Sequence, residues 1–470
     1  MAGFRAISMR HAALGLAAMV LLVASPCRAE TMSGALARAY TGNPDLNQRR
    51  AGVRATDETL PRAASTWRPS VRATGDVGYN YLDFNPGGST FTGTSRRQRA
   101  GTLPRAVGLS VTQNIFNGNR TLNGVRQAES NILGAREDLR ETELDVLQSG
   151  ANAYMDVLLN IAILDLRKNN ITVLEQQLRQ TRDRFDVGEV TRTDVAQAQS
   201  QLATGRSDYF RAQAELQTSI ATYRRVIGVE PTKLEPARSI ESLLPRGLDR
   251  AVRLALDAHP GVQAALHAVD AAELQVKLVE GELYPTVNVV GSVDQTFAQQ
   301  GFPRWRQFDT SIVGQVSIPI YASGGETYAR VRQAKELLGQ TRLQADLRRD
   351  EVRATVVSTW GQLETARAVI QSSRAAVKAS EIALEGIREE AKVGQRTTFD
   401  VLFAQQTLLD ARVRLVTAQR DQVVASYAVM AAIGLLSVAN LHLDVERYDP
   451  TIHFDQVKDQ WIGLRTPDGR

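Results

Sequence analysis

Val187-Gly188-Glu189-Val190-Thr191-Arg192-Thr193-Asp194-Val195 recurs in outline 206 positions later as Val393-Gly394-Gln395-Arg396-Thr397-Thr398-Phe399-Asp400-Val401. In both stretches a glycine closes a long run free of breakers, and a polar segment then opens a new apolar-periodic run. That is how one helix ends and another begins. The same offset joins Val125-Arg126-Gln127-Ala128 to Val331-Arg332-Gln333-Ala334, Tyr154 to Trp360, and Ile227-Gly228 to Ile433-Gly434. Further upstream the offset is 216, joining Asn43-Pro44 to His259-Pro260 and Pro69 to Pro285. So many collinear matches identify a tandem duplication of roughly two hundred residues, and an internal repeat must be read before any single element. The chain divides as 1–29, a first copy over 30–238, a second over 239–443, and a tail over 444–470.

Outward from the first turn, Leu122 to Phe185 holds no proline and only three glycines. As one helix this run would extend ~96 Å at 1.5 Å per residue. A return helix over about Asp194 to Ile227 would cover ~51 Å, and the stretch from Asp45 to Trp67 another ~35 Å. In the return helix Val195, Ala198, Leu202, Tyr209, Ala212 and Leu216 recur at spacings of three, four and seven, a narrow coiled-coil seam rather than a broad core-facing stripe. A helix-like stretch over Pro44 to Ala64 ends at Trp67-Arg68-Pro69, because proline cannot continue it.

Between the helices lie two pairs of alternating segments. Val71, Ala73, Val77, Tyr79 and Tyr81 oppose Arg72, Thr74, Asp76 and Asn80; Val107, Leu109 and Val111 oppose Ser110, Thr112 and Gln113. In the second copy Val287, Val289 and Val293 oppose Asn288, Ser292 and Asp294, and Phe308, Ile312, Val316 and Ile318 oppose Asp309, Ser311, Gln315 and Ser317. These are four strands with one apolar and one polar face. Their ten to twelve residues suit a tilted bilayer crossing, and their alternation is that of an outer-membrane barrel. Four strands cannot close a barrel, and open edges in lipid are costly, so several chains must share one. Aromatic residues at the strand ends fit interfacial girdles: Trp67, Phe116, Tyr284 and Tyr321 toward the helices, and Tyr79, Tyr81, Phe91, Phe297 and Phe302 toward the loops. The basic loop residues Arg96, Arg97 and Arg99, with Arg304 and Arg306, are either solvated or face lipopolysaccharide phosphates.

The 470-residue chain is 43% hydrophobic and 23% charged, with a formal charge of +5. After the first thirty residues no apolar run reaches the ~20 residues of a membrane helix, which excludes a polytopic helical membrane protein. Residues 1–29 read as a signal peptide, with Arg5 and Arg10 before an apolar run and Cys27-Arg28-Ala29 as its cleavage site. The remainder carries +2 and gives no nucleic-acid signal. Cleavage after Ala29 would remove Cys27, the sole cysteine; the alternative makes Cys27 a lipidated first residue. His259, His267, His442 and His453 form no metal-ligand spacing. No Walker loop or nucleophile elbow appears, so neither a cofactor nor catalysis is expected.

The order helix, strand, strand, long helix, Val-Gly turn, helix, written twice, resembles the TolC family of outer-membrane channel-tunnels. The two turns, the Pro-led strands and the strand exits Ile115-Phe116-Asn117-Gly118 and Ile320-Tyr321-Ala322-Ser323-Gly324-Gly325 carry the resemblance, which covers about Met32 to Leu443. It implies an α+β membrane fold: long helical hairpins forming a periplasmic α-barrel, with four strands per chain in a homotrimeric twelve-stranded β-barrel. It further implies an exit duct in the outer membrane of a Gram-negative bacterium, for type I secretion or tripartite efflux. A periplasmic adaptor and an inner-membrane ABC or RND transporter would be its partners. The family's entrance residues carry over as Arg396 and Asp400, with Thr193 and Asp194 of the neighbouring first-copy turn as the expected partners of Arg396. A second acidic residue found in some members is here Phe403, which implies three rather than six entrance carboxylates, a weaker cation preference and an apolar constriction. Val187, Gly188, Glu189, Val393, Gly394 and Gln395 are the expected adaptor-contact tips. Asp194 and Asp400 would also serve as helix N-caps. Two alternatives stay open at this stage, a lipid-anchored efflux porin and a soluble periplasmic scaffold or adaptor.

Overall fold

The computed structural model describes residues 30–84, 98–298 and 304–469. The expected signal segment, Cys27, Phe91, Arg96, Arg97 and Phe302 lie outside them. The first copy begins with α1 (Met32–Gly42), α2 (Pro44–Asp57) and α3 (Thr59–Ala64). Asn43 starts α2 by accepting the backbone N–H of Asp45 at 2.9 Å, and His259 starts α7 (Pro260–Glu280) in the same way, its Nδ1 accepting the N–H of Gly261 at 3.1 Å. The stretch expected as one helix over Pro44 to Ala64 is interrupted at Glu58. Pro61 has no N–H to offer the carbonyl of Asp57, so the ladder breaks there.

The strands follow as β1 (Ser70–Val77), β2 (Asn80–Phe84), β3 (Gln98–Thr102) and β4 (Arg105–Asn117) in the first copy, and β5 (Thr286–Phe297) and β6 (Arg306–Ser317) in the second. One antiparallel sheet runs β1-β4-β5-β6, so the two copies meet where β4 pairs with β5. The first strand, expected unbroken over Val71 to Leu82, ends at Val77. Its partner strand begins at Arg105, directly after Pro104, which cannot donate to a ladder. The carbonyl of Pro104 accepts the N–H of Gly78 at 3.0 Å, and β2 then pairs with β3 as a separate ribbon.

Register sorts the faces. Ala73, Leu109, Val293 and Thr310 lie in one row across the sheet, and Thr74, Gly108, Asp294 and Asp309 in the adjacent row. The apolar face is left exposed, with Val71, Val77, Val107, Leu109, Ile312 and Val316 open to the surroundings. The polar face is knitted by Asn114 donating to Asn288 and by the Ser292–Ser311 hydroxyl pair, each at 3.0 Å.

Two hairpins of equal build extend from the sheet. In the first copy α4 (Arg120–Asp186) returns as α5 (Arg192–Ile227); in the second α8 (Glu326–Lys392) returns as α9 (Thr398–Ala432). Each long helix has 67 residues, a length of about 100 Å. The seam of α5 is sharper than the spacing in the sequence suggests. Ala198, Gly205, Ala212, Ser219 and Val226 are buried at intervals of seven, with Leu202 and Tyr223 between them. Small residues at one heptad position let the helices approach closely: a Cβ at Gly205 would sit 2.9 Å from the side chain of Leu174.

The largest apolar core lies midway along the helices, where α1 and residues 436–443 wrap α4, α5 and α9. The hydroxyl of buried Tyr154 lies 2.7 Å from the carbonyls of Glu30 and Glu235, tying the first described residue to the linker between copies. That linker leads through α6 (Leu248–Ala258) into α7. Beyond the second copy, α10 (Thr451–Val457) packs on α2.

Candidate channel entrance

The ends of the two hairpins are built alike. Val187 closes α4 and Val393 closes α8; Gly188 and Gly394 follow, both at φ 80°, a conformation that glycine adopts without strain. The N–H of Glu189 reaches the carbonyl of Arg184, and that of Gln395 the carbonyl of Glu390, each at 2.9 Å. These bonds satisfy carbonyls that a helix end otherwise leaves open.

The return helices start at capping boxes. Thr191 accepts the N–H of Asp194 at 3.3 Å and gives its own N–H to that carboxylate at 2.9 Å. Thr397 and Asp400 repeat the pair at 3.2 and 3.0 Å. The N-caps are therefore the threonines; Asp194 and Asp400 stand three residues inside and close the box. The threonine hydroxyls also donate to the carboxylates, at 2.7 and 2.9 Å. Such bonds favour the charged form. The Asp194 carboxyl is held below the usual range chiefly by the Thr191 hydroxyl and then by its backbone N–H. The Asp400 carboxyl is held down chiefly by the backbone N–H of Thr397 and then by its hydroxyl.

Two features were not foreseen from the sequence. An ion pair clips each turn: Arg184 Nε meets Glu189 at 2.9 Å, and Arg396 Nε meets Glu390 at 2.7 Å. Within the chain Arg396, in the turn, thus pairs with Glu390 of the preceding helix α8 rather than with Thr193 or Asp194. Its guanidinium is held above its ordinary value chiefly by the hydrogen bond to Glu390. Second, Phe403 does not stand alone. Phe399 stacks against it with ring centroids 6.3 Å apart and planes at 21°, both rings largely exposed. A spacing of four on a helix places two rings on one face, and that spacing was the available signal.

The two turns are held beside one another. Leu402 of α9 packs among Leu174, Leu178, Ala198 and Leu202 of the first hairpin. Above it Gln201 donates to Gln406 at 3.4 Å. Val187, Gly188, Glu189, Val393, Gly394 and Gln395 are all exposed at the extreme ends. Among the described residues no group of histidines and carboxylates is arranged to hold a metal.

Comparison with known proteins matches this architecture. The model of the outer membrane efflux protein family fits residues 35–229 and again 251–435. The chain is 40% identical over 467 residues to outer membrane efflux protein BepC of Brucella suis, covering 99% of each. It is 26% identical over 438 residues to outer membrane protein TolC of Escherichia coli K12, covering 88% of this chain and 84% of that one. Among solved structures, VceC of Vibrio cholerae superposes with a TM-score of 0.71 at 16% identity, covering 86% of this chain and 96% of that one. The chain belongs to the outer membrane efflux protein family.

Proposed function

We propose that three copies of this chain form a continuous passive duct from the periplasm through the outer membrane. The observation that carries this is the sheet β1-β4-β5-β6, whose two outer edges, on β1 and β6, have no strand partner among the described residues and whose apolar face is uncovered. Unpaired strand edges cost several kcal/mol per backbone group in lipid. The smallest single-chain bacterial barrels have about eight strands, so one chain is too few and three supply twelve. Apolar residues on the outer faces of α8, among them Leu343, Leu347 and Ile382, are exposed in a single chain and are suited to cover by neighbouring helices.

In this reading the paired turns are the periplasmic entrance. Asp400 supplies three carboxylates to the opening, and the stacked Phe399 and Phe403 narrow it. Arg396 exchanges Glu390 for Thr193 and Asp194 of an adjacent turn when the entrance closes; a guanidinium fork can bridge a hydroxyl and a carboxylate. The exposed tips meet a periplasmic adaptor, which couples the duct to an inner-membrane ABC or RND transporter of a tripartite efflux or type I secretion system. Relatives bear names from both settings, an alkaline protease secretion protein of Pseudomonas aeruginosa and an antibiotic efflux pump outer membrane protein of Pseudomonas putida.

The test is the assembly state and conductance of the purified protein. Native mass spectrometry in detergent is expected to give three chains, and planar bilayers discrete channels. A monomer that stays soluble without detergent and passes no current overturns the proposal.

A further inference from the structure

The tail beyond the second copy holds a loop whose apolar tip no described residue covers. Its base is firmly held. His453 Nδ1 lies 3.0 Å from the buried carboxylate of Asp57 on α2. Phe454 packs against the cluster of Leu60, Ala128 and Ile132, and Val457 is fully buried. Pro467 and Asp468 return to line the same groove as Ile452, His453 and Gln456. Residues 459–466 thus leave α10 and come back to it.

The rising limb is fixed at a definite height. Arg68 Nη1 donates to the carbonyl of Gln460 at 2.7 Å, and its guanidinium lies 4.7 Å from the ring centre of Trp461. Gly463, at φ 146°, turns the tip beneath the side chain of Gln460; a Cβ there would sit 2.8 Å from Gln460 Nε2. The loop is therefore shaped, yet Trp461, Ile462 and Leu464 are 66%, 92% and 103% exposed.

Arg68 stands two residues before β1, whose first ladder pair is Ser70 with Thr112. Two extended residues span ~7 Å. The headgroup layer outside a ~30 Å hydrocarbon core is about 5–7 Å deep on each side. We propose that Trp461, Ile462 and Leu464 insert into the periplasmic leaflet of the outer membrane, so that the tail is a peripheral lipid anchor beside the barrel. The occupant is a lipid surface for three reasons. The loop is continuous in height with the membrane end of the sheet, where Trp67 is also exposed. Tryptophan favours that layer. Arg465, exposed beside Leu464, supplies a positive charge for anionic headgroups, while Asp468 lines the groove at the base.

Site-directed spin labelling tests this on the full protein in liposomes of phosphatidylethanolamine and phosphatidylglycerol. Ile462→Cys and Leu464→Cys are labelled separately in a Cys27→Ser background. Leu109→Cys on the apolar face of β4 serves as the lipid reference and Glu385→Cys on α8 as the water reference. The ratio of oxygen to nickel-chelate collision rates at both loop positions is expected to approach that of Leu109 and to exceed that of Glu385 several-fold. Ratios matching Glu385 place the loop in water and overturn the proposal. Exclusion of both reagents places it against a neighbouring subunit and overturns it equally. A water-like reading at Leu109 overturns the barrel itself, and so separates failure of the duct from failure of the anchor.

Discussion

The first-copy and second-copy turns share one backbone and differ in what they present. Both end a 67-residue helix at Val-Gly and both restart in a Thr-x-x-Asp capping box. At equivalent positions, however, Thr193 is replaced by Phe399, Gln197 by Phe403 and Arg184 by Glu390, and the ion pair is reversed, its turn member standing one place later in the second copy. Arg184 on the helix holds Glu189 in the first turn, whereas Glu390 on the helix holds Arg396 in the second. Duplication kept the residues that make the backbone turn and released those that the solvent side sees. If that division is right, matched substitutions at cap positions act alike in the two turns, and matched substitutions at the presented positions do not.

The largest difference is expected at the aromatic pair. Replacing Phe399 and Phe403 together by serine removes the stacked pair that the proposed entrance uses as its apolar constriction, and apolar constrictions restrict conduction by expelling water. Single-channel conductance in planar bilayers should rise several-fold. Serine at Thr193 and Gln197 should leave it near the unmodified value. Equal effects would mean that both turns line the narrowest point and that the comparison fails.

A smaller difference is expected at the aspartates. Asp400→Asn keeps an acceptor for the capping box but removes the charge of the proposed entrance, so the preference for cations over anions should fall; Asp194→Asn should change it much less. Reversal potentials under a salt gradient read both. The pH dependence has a fixed sign. Both carboxyls are held below their ordinary value of 3.8, so each stabilises its helix start above that value and loses this as pH falls through the lowered folded pKa. Hydrogen exchange at residues 191–196 and 397–402 should stay protected down to about pH 4 and loosen only below it, in both turns together.

How much of this was legible in the sequence follows from the range of each interaction. The helices, the turns and the sheet faces were readable because each rests on local periodicity or on a glycine or proline with a fixed backbone meaning. Two boundaries slipped for the same kind of reason. Pro61 breaks a helix through a hydrogen bond it cannot make, and Pro104 shortens β1 from the opposite strand, so the cause lies away from the residues being read. At the candidate entrance, Asp400 and Phe403 stood out in the sequence, but the Phe399 stack and the Arg396–Glu390 clip did not. Exposed charges have several partners within reach, and sequence spacing does not choose among them.

The caps should show equivalence rather than difference. Thr191→Ala and Thr397→Ala each remove one side-chain cap, worth about 1 kcal/mol at a helix start. The loss should appear locally, as faster exchange of the first turn of α5 or α9 by a similar factor. A much larger effect on one side would mean that neighbouring subunits, rather than the box, hold that turn.

The smallest effect belongs to the ion clips, and its asymmetry follows from the helix dipole. The last turn of a helix favours a positive group and disfavours a negative one. In the first turn Arg184 sits well at the end of α4 with or without its partner, so Glu189→Ala removes only an exposed pair of little worth. In the second, Glu390 sits near the unfavourable end of α8, and Arg396 offsets it. Arg396→Ala strands that carboxylate, so exchange at residues 389–395 should quicken more than exchange at 183–189 does in Glu189→Ala. Adding Glu390→Gln should reverse most of the change. If Arg396→Ala proves silent while Glu189→Ala does not, the polarity of the clip is set by a docked partner rather than by the helix that carries it.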